Sequence, residues 1–311
     1  ARETFISLPG LLLTTGDEEH FFAIINALVG EMDGPLFPTY LDAHQKVYHS
    51  ADAPLWFFWT LQQYLLMRKA DPLQIWNDYG SVMEGILNGF SRGTRYNINM
   101  LDSGLIYAGE PGNALTWMNA RAHGNPVNPR PGITVEVNAL WYNALMFFSD
   151  LAEQAGKPDI AAAWLKLAKR VHCSFNNHFW DEQKAHLIDY VNGEYRDHSA
   201  RPNQLFAVSL PYSPLKEERQ KAVLDVVMKE LLTPRGLRTL SPKNPLYKGH
   251  CHGNESERGL AYHNGTAYPW LLGAYTEAVL RIYGKGGKAR LKKLYDGLEP
   301  VVMEAGIGSI S

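Results

Sequence analysis

Five carboxylates fall in Gly-, Pro- and Asn-rich stretches of the sequence rather than on charged helical faces: Asp102, Glu110, Glu136, Glu255 and Glu257. Hydrolysis of a glycosidic bond needs two such groups about 5 to 10 Å apart, one to protonate the leaving oxygen and one to activate water or attack. Glu136 opens an apolar run, where a carboxylate also simply favours the positive end of a helix dipole, so a structural and a catalytic role both stand. Its neighbours Arg130 and Asn138 point to a polar cluster. The guanidinium of Arg130 offers a planar fork for a carboxylate or for adjacent hydroxyls.

Other chemistries fit less well. His44, His49, His250, His252 and His263 invite a metal reading, but ligands must converge, and alternating histidines on a loop give no sign of that. No metal and no cofactor is expected. His263 lies in AYHNGTAYPW among groups suited to hydroxyls. A Ser-His-Asp hydrolase would need a G-x-S-x-G turn after a strand, which is missing. The Gly-rich YGKGGK run at Tyr283 follows a helical stretch and reads as an interhelix turn rather than a phosphate loop.

These residues must be positioned by helices. APLWFFWTLQQYLLM and the run from Pro72 through IWNDYGSVMEGIL carry the 3.6-residue period, with a tight connection at Ala70-Asp71. A second pair runs from about Val135 to Ala155 and from Pro158 to His178, joined by GKPD. Between the pairs lies the stretch from Leu101 to Val135, too long and too aromatic for a mere connection. Further helices are predicted from Thr4 to Thr14, from Asp17, in RPNQLFAVSLP, in LKEERQKAVLDVVMKELL, from Trp270 to Tyr283 and from Lys288 to about Met303. A small β-excursion spans His186 to Tyr190 with a turn at Asn192-Gly193. A second Pro- and Gly-rich loop spans Thr233 to Pro269. About ten helices with alternating long and short connections predict an all-α chain, an α/α toroid whose long loops build a pocket.

Composition agrees with a soluble globular protein: 311 residues, 45% hydrophobic, 20% charged, net charge -2. That balance excludes a nucleic-acid footprint, and no apolar run is long enough to span a membrane. Cys173 and Cys251 are too few for a disulfide framework, which suggests a reducing, cytoplasmic location. Eight Trp and sixteen Tyr are more than a core of this size needs, and rings with a polar edge suit a sugar cleft.

Seven ordered motifs carry a resemblance: RETFISLPGL at Arg2, HSADAPLWFF at His49, LTWMNA at Leu115, PVNPRPGITVEVNALWYNAL at Pro126, RPNQLFAVSLP at Arg201, LLTPRGLRTLSP at Leu231 and RGLAYHNGTAYPWLLGAY at Arg258. Together they resemble the C-terminal amylo-α-1,6-glucosidase domain of glycogen debranching enzymes. The resemblance implies a single (α/α)6 barrel domain over residues 1–311, here without its first and last helices. It also implies inverting hydrolysis of α-1,6-linked glucose on glycogen or a limit dextrin, and a fragment of a longer protein with a further N-terminal domain. By the same resemblance Arg2, Glu3, Asp52, Trp117, Arg130, Asn138, Asn203, Gln204, His263 and Trp270 line the glucose pocket.

Two departures bear on catalysis. The family's TWMD is TWMN here, so Asn119 stands where the general-acid Asp belongs, and an amide cannot donate a proton as a carboxylic acid does. The family's general base is a Glu following GSIS, which places it beyond Ser311 and leaves Glu136 as the alternative carboxylate. The family's GRDT is ARET here, with Glu3 in place of a shorter acid. Two rivals follow: a glucoamylase-like enzyme acting on α-1,4 ends, and a non-catalytic glucan-binding domain.

Overall fold

The computed structural model describes residues 1–41 and 46–304; the expectations placed on His44 and on the residues up to Ser311 lie outside them. The chain is mostly helical and divides into two compact units, one of residues 1–119 and 128–177, the other of residues 120–127 and 178–311.

The first unit is built on helices α1 (Arg2–Leu8), α2 (Glu18–Gly30), α3 (Ala53–Arg68), α4 (Pro72–Arg92), α5 (Val135–Gln154) and α6 (Pro158–Phe179). Pro9 does not end the first helical segment but shifts it into a single π-helical turn, Pro9–Leu13. Helices α3 and α5 are apolar nearly all round and pack on each other in the interior, with α1 against α3 and α4 against α5. A helix without a polar face has nowhere else to go. Helix α4 is instead amphipathic, burying Ile75, Tyr79, Met83, Ile86 and Phe90 along one stripe. Each such side chain contributes roughly 1.5–3 kcal/mol on leaving water. The α3–α4 connection is tight because Lys69 takes a left-handed conformation and Asp71 caps α4, accepting from the Leu73 amide at 2.9 Å. Asn143 on α5 donates to Gln62 on α3 at 3.0 Å, a buried polar bond that sets the register of two otherwise greasy surfaces.

The second unit holds α7 (Phe206–Ser209), α8 (Glu217–Glu230), α9 (Glu255–Tyr262), α10 (Leu272–Tyr283) and α11 (Lys288–Asp296). Helix α10 packs on α7 and α8 around the fully buried Tyr275. The expected β-excursion is present as a hairpin of Tyr190–Asn192 with Tyr195–Asp197, turning at Gly193. A second hairpin pairs Trp180–Asp181 with His186–Leu187, and Gly236–Arg238 lies between Leu232–Thr233 and Ala267–Tyr268 in a three-stranded sheet.

Four expectations need correction. The chain is not purely helical, since short two- and three-residue ladders recur in its loops. The loop from Thr233 to Pro269 is interrupted by α9, which places Glu255 and Glu257 in a helical first turn and not on a free loop. RPNQLFAVSLP forms a 3-10 turn, Pro202–Leu205, followed by the single turn of α7. The last predicted helix stops at Asp296, because Gly297 and Pro300 favour a break, and resumes as a 3-10 turn, Pro300–Met303.

Candidate active site

In the first unit the motif residues form two buried ion pairs. At the start of α1, Arg2 donates through Nε to both carboxylate oxygens of Asp52 at 2.8 Å and through Nη2 to Ser50 at 2.9 Å. Burial opposes the charge of Arg2, but the Asp52 carboxylate outweighs it and holds the guanidinium pKa above its ordinary value. Ser50 donates to Asp52 at 2.7 Å and so completes the cluster. Glu3 keeps its side chain 74% exposed and touches Arg2 only at 3.3 Å. It is the one carboxylate of this group open to a ligand.

The second pair joins Arg130 to Glu136 at the head of α5, with Nη1 on one carboxylate oxygen and Nη2 on the other at 2.7 Å. Both side chains are buried. Arg130 also donates to Thr116 at 3.2 Å, which anchors the LTWMN segment. Its backbone sits at a φ of 45°, left-handed for a residue with a side chain, a strain of order 1–3 kcal/mol that the surrounding contacts hold in place. Along LTWMN, Trp117 and Met118 are buried and Asn119 is exposed. The Ala51 amide donates to the Leu115 carbonyl at 2.8 Å, so the HSAD and TWMN motifs meet directly. Asn138 does not face a ligand: its amide binds both the N–H and the carbonyl of Ile106 and the Thr134 carbonyl, at 2.7 to 3.0 Å.

In the second unit the network centres on two residues absent from the predicted pocket, Asp189 and Arg201. Asn203 donates to Asp189 at 2.7 Å, while Arg201 reaches Asp189 at 3.7 Å, the carbonyls of His263 and Thr239 at 2.7 and 3.1 Å, and Asn264 at 3.1 Å. All are buried. Arg201 heads the RPNQ motif and could have been singled out there; Asp189 lies in no quoted motif and carried no signal. Gln204 is spent on the backbone, accepting from Leu187 and donating to the Arg201 carbonyl. The His263 ring is stacked on Tyr268 at 5.7 Å and meets Tyr262 edge-on, and burial pushes the Tyr268 hydroxyl pKa well up. Gly265, two residues on, has a φ of 155°, and a Cβ there would lie 2.1 Å from the Lys248 carbonyl oxygen. Trp270 stacks on Phe206 at 5.9 Å and remains half-buried.

His186 supports this network from behind, donating through Nδ1 to the Leu187 carbonyl at 2.9 Å. Burial lowers its pKa below the ordinary 6.5, with the Leu187 hydrogen bond, Asp181 and Glu230 opposing and Lys184 adding to the shift. The folded state therefore keeps the ring neutral while the unfolded state takes a proton, so its contribution is complete above pH 6.5 and is lost as pH falls. Lowering the pH from about 7.5 to about 5 should cost this chain more unfolding free energy than it costs His186→Asn, measured by urea denaturation at both values. Equal losses would show that His186 does not drive the acid sensitivity.

Among the described residues no group of three or more His, Cys, Asp or Glu is arranged to hold a metal ion, and no helix is long and apolar enough to cross a membrane. The family described as amylo-alpha-1,6-glucosidase matches residues 1–311. Over 371 aligned residues the chain is 25% identical to the glycogen debranching enzyme of Saccharomyces cerevisiae, covering 89% of this chain and 24% of that protein. The chain thus spans about a quarter of the length of that relative. A solved GH78 family rhamnosidase of Bacillus sp. GL1 superposes with a TM-score of 0.52 at 16% identity, covering 98% of this chain and 25% of that one, a likeness of fold.

Proposed function

Because the chain belongs to the amylo-alpha-1,6-glucosidase family, we propose that it is a glycogen-debranching glucosidase domain that hydrolyses α-1,6-linked glucose at the branch points of glycogen or a limit dextrin, with inversion. The observation that carries this reading is the bond from Ala51 to Leu115, which gathers Arg2, Asp52, Trp117 and Asn119 around one stretch of the first unit. Within the first unit the exposed carboxylate of Glu3 would grip sugar hydroxyls beside Arg2, and Asp52 would hold Arg2 in place.

Asn119 occupies the position of the acid, and a Glu following Ser311 is assigned as the base that activates water. Glu136 is not that base in this proposal: both of its oxygens are engaged by the Arg130 guanidinium, so it positions Arg130 and through it Thr116. Asn138 holds the head of α5 by its internal bonds, and Asn203 and Gln204 do the same for the turn after Arg201 in the second unit. The substrate is a branched α-glucan, and no cofactor enters the scheme.

One observation favours a second reading, a glucan-binding domain without turnover: the amide of Asn119 is exposed where an acid is needed. Glucose release from a limit dextrin bearing single α-1,6 stubs, compared with release from maltose and isomaltose, tests the proposal. Preference for the stub supports it, and faster hydrolysis of maltose would replace it with a glucoamylase-like activity. Calorimetric binding of maltooligosaccharides with zero turnover in the full-length protein would leave only the binding domain.

A further inference from the structure

A cavity of about 420 Å³ in the second unit is lined by none of the residues assigned above to the glucan. Lys184, His186, His198, Glu230, Ser241 and Lys243 form its polar wall, and no Trp, Tyr or Phe lines it. Its volume suits a small ligand, since such sites run from about 300 to 1,000 Å³. Without a ring platform it is poorly suited to the apolar face of a sugar, which stacks on aromatic side chains.

The polar groups are divided between those already engaged and those with capacity left. Glu230 accepts from Lys243 at 2.6 Å and from Ser241 at 2.7 Å, so its charge is matched inside the wall. Lys184 makes one long bond, to the His198 carbonyl at 3.4 Å, and an ammonium has three protons to give. His198 engages Asp181 through Nδ1 at 2.6 Å. His186, 5% exposed, must carry its proton on Nδ1 because the Leu187 carbonyl can only accept, which leaves Nε2 as a hydrogen-bond acceptor. Two ammonium groups against one carboxylate favour an anion, and a neutral imidazole acceptor beside them favours a hydroxyl on the same molecule.

We propose that this cavity binds a small phosphate monoester of a sugar or polyol, with Lys184 and Lys243 donating to the phosphate oxygens and His186 accepting from a hydroxyl of its carrier. None of its residues is assigned to the glucan or to bond cleavage, so the site would act as a sensor of phosphorylated sugar. Calorimetric titration of the chain at pH 7 with glucose 1-phosphate, glucose 6-phosphate, inorganic phosphate and glucose tests it.

A sugar phosphate should bind at least about tenfold more tightly than either inorganic phosphate or glucose, and Lys184→Ala/Lys243→Ala should weaken it by about tenfold or more. Both lysines are exposed, so the double variant should fold as the parent does. His186→Asn should narrow the advantage of sugar phosphate over inorganic phosphate. The proposal is overturned if no phosphate binds at 10-millimolar order, if the lysine variant binds unchanged, or if glucose or inorganic phosphate alone binds as tightly as the ester.

Discussion

Asn119→Asp should raise glucose release from a limit dextrin by about 10²- to 10⁴-fold, the usual contribution of a positioned general acid. The measurement belongs on the full-length protein. The side chain is exposed while its neighbours Trp117 and Met118 are buried, so exchanging an amide for a carboxyl of the same shape should leave the loop in place. The gain should appear in kcat with little change in KM, because protonation of the leaving oxygen matters only in the transition state. A gain in KM alone would assign Asn119 to binding. No turnover in either form would remove the catalytic reading altogether.

The second large effect is on stability. Arg130→Met should cost about 3–5 kcal/mol, the range for removing one member of a buried ion pair and leaving the other charge without its partner. Glu136 is 1% exposed and cannot be rescued by water without opening the head of α5. The double variant Arg130→Met/Glu136→Leu should recover much of that loss, because apolar groups of similar volume carry no desolvation penalty. Urea unfolding of the three proteins provides the measurement. A single-variant loss below about 1 kcal/mol would place the pair in the class of screened surface bridges.

The helical pairs were legible because their period and their breakers agree. Pro72 after Asp71 and the GKPD connection before α6 mark both tight turns, and those helices stand where the spacing puts them. Helix α9 was hidden by its length, eight residues among glycines, although Asn254 and Glu257 form a capping box that was there to be read. The two-residue ladders had no periodic signature at all, because alternation needs several residues to show.

At the site, the acidic and basic residue types could be recognised, but not which of them would pair. Arg2 finds Asp52 fifty positions away, and Asp189 finds Asn203 and Arg201 across a hairpin. Asn138 and Gln204 have the side chains of sugar binders, and only the positions of the Ile106 and Leu187 backbone show that their amides are already taken.

The bond between Ala51 and Leu115 also has a kinetic meaning. It closes a loop that contains all of α3 and α4, so it gains nothing until both helices have docked, and loop closure of that span carries its entropic cost in advance. The meeting of the two motifs is thus expected to come late in folding. A chain cut anywhere between residues 51 and 115 would lose the covalent link that makes it intramolecular, even if every helix survived.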